Sequence, residues 1–165
     1  MSIIYKAKRI GKGGKLFTMY KFRTMVEDAD IIGGPSTPAD DARITKWGRL
    51  LRKYKLDELP QLWNVAKRDM NLVGPRPEVK EYVDLMTTEE RDIILSVRPG
   101  IVDLASLWDF DEGEALKGSA DPEKEYLEKI WPTKKKLQIE YVQNRSLALN
   151  LKILGWTILR ILRVK

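Results

Sequence analysis

Neither cysteine nor histidine occurs anywhere in the 165 residues. Their absence removes thiol chemistry, disulfides, Cys/His zinc centres and every hydrolytic triad built on an imidazole. A catalyst made from this chain has to work with carboxylate, hydroxyl or amine groups, or with a hard cation such as magnesium. The missing cysteine also agrees with a cytoplasmic setting. No uninterrupted apolar run reaches the roughly 18 residues that a spanning helix needs, and no segment opens like a secretory signal. Internal repeats and low-complexity stretches are absent as well.

Charge is plentiful, and it is segregated. Charged residues make up 33% and apolar ones 43%, a globular balance in a chain long enough for one domain with a core. Residues 1–55 carry 13 basic and 5 acidic side chains, residues 134–165 carry 8 and 1, and residues 56–133 carry 9 and 18. The net charge of +6 therefore hides two basic ends around an acidic centre. Ends of that kind meet an anionic surface, either a membrane leaflet or nucleic acid.

The stretch at residues 56–77, LDELPQLWNVAKRDMNLVGPRP, carries the chemistry. Asp57 and Glu58 stand just before Pro60, a residue tolerated in the first turn of a helix. Leu59, Leu62, Trp63 and Val65 then continue a short apolar helix. Asp57 is expected as its N-cap and Glu58 in its first turn, where the helix dipole favours negative charge or a phosphate. Two neighbouring acids at a helix start point in different directions, so they should divide labour. The plainer alternative is a cap and a surface acid. Arg76 lies between Pro75 and Pro77, and so stiff a loop leaves a guanidinium little entropy to lose on gripping a phosphate. The alternative there is a rigid turn whose arginine pairs with a carboxylate.

Around this stretch, YKAKRI and LFTMYKFRT flank a glycine-rich GKGGK and predict an N-terminal β-hairpin. The spacing of a Walker phosphate loop is not present. Lys21 and Arg23, two apart, share a strand face and can clamp one anion; a solvated face is the alternative. Residues 27–43, with two prolines, two glycines and five acids, predict a mobile loop or lid. From Thr45 a helix places Trp47, Leu50, Leu51 and Tyr54 on one face and Lys46, Arg49, Arg52 and Lys53 on the other. Such a helix either lies on an anionic bilayer or packs its apolar face on the core.

Val79, Tyr82, Val83 and Met86 predict another helix. Thr87 to Glu90 offers a capping box for the next, through Val97. Arg98-Pro99-Gly100 breaks that helix and holds a second stiff arginine. Residues 109–121 read as loop. Asp121-Pro122-Glu123 starts a helix that Trp131-Pro132 ends or kinks, and residues 133–143 resume it. The last twenty residues suit an interfacial helix, a core helix or a dimer seam: Lys152, Arg160 and Arg163 share one arc beside Trp156. Together these elements make a small, mostly helical α+β domain spanning residues 1–165.

RIGKGGKLFTMYKFRTM, DARITKWGRLLRKYKLDELPQLWNV, DMNLVGPRP, RPGI and DPEKEYLEKIWPTKKKLQIEYVQNRS follow one another here. In this order they resemble the bacterial sugar transferases, the monotopic phosphoglycosyl transferases that begin exopolysaccharide, O-antigen or glycoprotein glycan assembly. The resemblance covers nearly the whole chain. It implies a compact mixed domain with a β-hairpin and amphipathic interfacial helices, at the cytoplasmic face of the bacterial inner membrane. The implied reaction moves a sugar 1-phosphate from a UDP-sugar to polyprenyl phosphate through a covalent aspartyl intermediate. Asp57 matches the nucleophile. Glu58 matches the second acid, in metal binding or proton handling, with Mg2+ held by Asp57 and Glu58. Lys21, Arg23, Arg76 and Arg98 match basic positions assigned to phosphate contacts.

Three departures stand out. Family members usually have a re-entrant membrane segment directly before the hairpin, whereas this chain begins only a few residues ahead of it. Arg68 takes a place often held by glycine, and Val102-Asp103 replaces the more usual Thr-Gly after RPGI. A non-catalytic, membrane-associated module derived from the family is the competing expectation. Nucleic acid is not expected as a partner, for want of a basic–aromatic platform; a homodimer through the last helix is compatible with the pattern.

Overall fold

The computed structural model describes residues 2–108 and 112–163, the side chains of residues 106 and 163 excepted. The expected hairpin is its first element. Strands β1 (Ile4–Ile10) and β2 (Leu16–Phe22) pair antiparallel in the register Ile4 to Phe22 and Ile10 to Leu16. Gly13 (φ 66°) and Gly14 (φ 76°) make the left-handed turn between them, a conformation that costs a residue with a Cβ. Ala7 and Met19 on the inward face pack with Met70 into a small core.

Residues 27–43 contain one short helix, α1 (Ala29–Ile32). The rest of this segment is fastened at several points rather than free. Arg43 bonds Asp41 and the Ala29 carbonyl (2.8 Å), Ser36 bonds the Tyr82 hydroxyl (2.9 Å), and Ala39 N–H donates to Gly113 O (2.8 Å). Helix α2 (Lys46–Lys53) follows, with Thr45 as N-cap accepting from Gly48 N–H. Its orientation goes against the second of the two expectations, an apolar face packed on the core. Gly48 sits against the Thr24 backbone so closely that a Cβ would lie 2.0 Å from the Thr24 carbonyl oxygen. That contact turns the Gly48–Arg52 side inward and leaves Trp47 77% and Leu50 46% exposed.

After a 3-10 turn at Leu56–Glu58, helix α3 (Gln61–Ala66) leads to β3 (Asn71–Val73). Strand β3 pairs in parallel with β4 (Gly100–Val102), a two-stranded sheet that no local pattern announced. Between them lie α4 (Lys80–Asp84) and α5 (Thr88–Ile94). The capping box of α5 forms as expected, Thr87 with Glu90, although the helix stops at Ile94 short of Val97.

Helices α6 (Leu104–Trp108) and α7 (Glu112–Ala115) follow, so residues 112–115 are helical where a loop was expected. The expected loop at 109–111 lies outside the described residues. Asp121 caps α8 (Pro122–Glu125) by accepting from Lys124 N–H. The chain then widens into a π turn at Tyr126–Ile130 and continues as α9 (Trp131–Asn144). Pro132 therefore does not end the helix: the wider turn absorbs the missing N–H and the ring.

The main core joins Tyr82, Val83 and Met86 of the α4 region to Ile94, Leu116, Tyr126, Ile130 and Trp131. The last helix, α10 (Leu147–Arg163), packs only one side, with Ile153 wholly buried beside Val73, Leu107 and Tyr141. Leu151, Ile158, Leu159 and Leu162 stay exposed, and Lys152 Nζ lies 4.5 Å from the Trp156 ring centre.

Candidate active site

Asn64 explains how the acid pair meets the hairpin. Its side chain is fully buried, accepts from Tyr20 N–H (3.1 Å) and donates to Thr18 O (2.7 Å), as a third partner strand would. This locks α3 and the preceding turn against β2 and brings Lys21 to Glu58, Nζ to Oε1 3.4 Å. From the other side Arg76 reaches the same carboxylate. Its Nη2 pairs with Oε1, and Nη1 lies 3.4 Å from Oε2.

The loop that carries Arg76 is held at three places. The Arg76 backbone N–H, standing between two prolines that have none, donates to Asp103 Oδ2 (3.1 Å). Its Nη1 reaches the Ile101 carbonyl (3.4 Å), and Gly100 N–H donates to Pro75 O (2.8 Å). The closeness of the two loops requires Gly100, where a Cβ would fall 2.0 Å from Gly74 N. Asp103, noticed in the sequence only as a departure, is thus the wholly buried acid that anchors the arginine loop.

Burial alone would raise the Glu58 carboxyl, but Arg76 and Lys21 outweigh it and hold it well below the usual carboxylate range. Glu58 in turn lifts the Arg76 guanidinium above its ordinary value against the cost of burial. Lys21 moves the other way: burial lowers it, aided by Arg76, and Glu58 compensates only partly. Glu58 is accordingly neither a surface acid nor a proton donor near neutral pH.

Asp57 is placed differently from expectation. It sits inside the 3-10 turn and caps nothing, because Lys55 opens that turn in a left-handed conformation (φ 56°) and Pro60 precedes α3. It is 7% exposed, and its Oδ1 is sealed from solvent with no hydrogen-bond partner. The charges around it are Lys21 and a cation that sequence reading left on the solvent side, Arg52. Arg52 Nε donates to Thr24 Oγ1 (3.0 Å), and burial lowers its guanidinium while Asp57 opposes the shift. The spacing of Gly48 and Arg52, one helical turn apart, was the available signal.

The structure therefore gathers Asp57, Glu58, Lys21 and Arg76, and adds Arg52. It does not bring Arg23 or Arg98 to the pair. Arg23 lies past the end of β2, donates to Ser2 O (2.9 Å) and covers the Tyr5 ring. Arg98 is exposed, its backbone against Gly74. For a metal, Asp57 and Glu58 are adjacent, and among the described residues no group of three or more Asp, Glu, His or Cys side chains forms a cage. Magnesium takes one or two carboxylates and fills its octahedron with water and phosphate oxygens, and Glu58 would supply one by giving up part of its pairing with Arg76 and Lys21. An acid with an unpartnered oxygen, ringed by guanidinium and ammonium groups on a stiff frame, suits covalent capture of a phosphoryl group.

The chain matches the family model described as Bacterial sugar transferase over residues 1–164. It belongs to that family. This sugar transferase is 40% identical over 160 residues to the uncharacterized sugar transferase EpsL of Bacillus subtilis (strain 168), covering 97% of this chain and 70% of that one. It is 41% identical over 101 residues to the UDP-N-acetylgalactosamine-undecaprenyl-phosphate N-acetylgalactosaminephosphotransferase of Aeromonas hydrophila, covering 60% and 24%. Over 116 residues it is 41% identical to the undecaprenyl-phosphate galactose phosphotransferase of Salmonella typhimurium, covering 61% and 24%. The chain thus spans about a quarter of the length of those two relatives. Its Arg68 lies at φ 63°, which gives a physical meaning to the glycine often found there.

Proposed function

We propose that this sugar transferase moves a sugar 1-phosphate from a UDP-sugar to polyprenyl phosphate, with Asp57 as the nucleophile. One observation carries the reading. Asp57 is the acid of the cluster whose charge no ion pair uses, while the cations about it exceed what Glu58 needs. The names borne by the Aeromonas and Salmonella relatives agree with this donor and acceptor class.

Asp57 Oδ2 forms a bond to the sugar-bearing phosphorus, the bond from that phosphorus to the UMP oxygen breaks, and UMP departs with the electron pair. Lys21 and Arg52 face the charge that develops on the phosphoryl oxygens. Glu58 holds Arg76 and Lys21 in place, and Lys21, on the longer contact, is free to turn toward the incoming diphosphate. An oxygen of polyprenyl phosphate then takes the phosphorus and releases the Asp57 carboxylate. Magnesium held by Asp57 and Glu58 would neutralise diphosphate charge. Arg23 and Arg98 remain candidates for contacts farther along the substrates. The acceptor's lipid chain calls for a membrane surface, and the exposed apolar groups of α2, α3 and α10, with their neighbouring lysines and arginines, suit the interface at the cytoplasmic face.

The test is intact-mass measurement of the protein after incubation with magnesium and a panel of UDP-sugars. The expected result is a mass increase of one sugar phosphate, located at Asp57, with UMP released. Chelation should abolish both signals, and the reading fails if an adduct forms equally on Asp57→Asn.

A further inference from the structure

Six buried side-chain nitrogen or oxygen atoms among the described residues lack a hydrogen-bond partner, and two of them belong to the LDELPQ motif. Asp57 Oδ1 is an acceptor and Gln61 Nε2 is a donor. Gln61 is 1% exposed, so bulk water does not satisfy it. The path between the two is right-handed throughout: the turn at Leu56–Glu58, then Leu59 (φ −53°, ψ −38°) and Pro60 (φ −62°, ψ −16°), then the first residue of α3. The hydrogen bonds along it run three residues back, Leu59 N–H to Leu56 O and Leu62 N–H to Leu59 O, so the turn is tight and the two side chains stand about one turn apart. The other four atoms, on Arg91, Glu123, Trp131 and Gln138, include no donor and acceptor one turn apart. Buried groups left unpaired carry their full desolvation penalty, and unexplained ones mark strain or chemistry.

We infer that Gln61 is a positioning residue for Asp57, its side-chain amide donating to Oδ1 when the sugar nucleotide is bound. The inference rests on the reading of Asp57 as nucleophile. A carboxylate anchored at Oδ1 cannot swivel, so Oδ2 alone meets the phosphorus. Once Oδ2 has bonded to phosphorus and UMP has left, Oδ1 is the carbonyl oxygen of a mixed anhydride. When the acceptor phosphate takes the phosphorus, the electron pair of the broken O–P bond returns to the carboxylate and spreads onto Oδ1, where the Gln61 N–H meets it. Gln61 thereby serves both half-reactions without touching either substrate.

The experiment compares wild type with Gln61→Met, which keeps length and volume but has no donor, and with Gln61→Glu, which keeps shape, as the second variant should methionine disturb folding. Adduct formation, steady-state kinetics and melting temperature are measured on each. The expected result is a wild-type adduct and a kcat on the order of 10- to 100-fold lower in the variants, with KM for the UDP-sugar unchanged. Breakdown of the adduct by polyprenyl phosphate should slow in parallel, and the melting temperature of Gln61→Met should be equal or higher. A residue that merely fills space would change the melting temperature and leave kcat alone. A wild-type adduct with kcat within about twofold of wild type in both variants overturns the inference and spares the nucleophile; no wild-type adduct at all overturns both.

Discussion

Among the described residues the charge cluster around Lys134 and the one around Glu58 are finished differently. In the helical half, Lys134 lies 3.2 Å from Glu112, 3.6 Å from Glu78 and 2.9 Å from the Tyr126 hydroxyl, and Gln138 donates to Glu78 (3.4 Å). Burial would lower the Lys134 ammonium, yet Glu78 and Glu112 hold it well above its usual value. Glu112 is held below its own, since Lys134 and Arg76 outweigh burial. There one lysine serves two acids, and Glu112 draws on Arg76 as well. At the hairpin, Glu58 takes Arg76 and Lys21 while Asp57 is left with an oxygen that bonds to nothing. The first arrangement ties α9 to the α4 and α7 regions; the second leaves electrostatic capacity unused. Buried charge that is engaged ties elements together, and buried charge left over stays available for chemistry.

The sharpest way to break the comparison is to remove one charge from each cluster. Asp57→Asn should lower sugar-phosphate transfer by on the order of a thousandfold or more with the fold intact by circular dichroism. Lys134→Met should do the reverse. It leaves the buried Glu78 and the partly exposed Glu112 without their lysine and should cost about 3–5 kcal/mol in denaturant unfolding, with activity per folded molecule little changed. Lys134→Met as stable as wild type would mean that this cluster does not hold the helical half together.

A smaller effect concerns pH. The Glu58 carboxyl is depressed in the folded state, so its stabilisation is complete above the ordinary glutamate value of about 4.3. It is lost as pH falls below that value toward the folded one, where the unfolded chain takes up the proton first. Urea midpoints from pH 6 to pH 3 should show wild type losing its advantage over Glu58→Gln across that window. A constant difference would mean that Arg76 and Lys21 do not depress Glu58. Smallest of all, Arg68→Gly should relieve the left-handed residue and raise the unfolding free energy by about 1 kcal/mol, leaving transfer unchanged.

What the sequence determined by itself is local. The hairpin, the N-caps at Thr45 and Asp121, the capping box at Thr87 and the helix through Tyr82 and Val83 depend on bonds within one helical turn or between two strands joined by a short turn, and these could be read in order. The motif also named the acids and Arg76 before any geometry was known. The tertiary structure decided which way things face. It turned Arg52 inward because Gly48 fits against Thr24, and it took Asp57 out of the cap position and buried it. It paired β3 with β4 across 26 intervening positions, so that Asp103 anchors Arg76. Contacts between residues far apart in the chain are set by burial and close packing summed over the whole domain, and no window of neighbouring residues holds that sum.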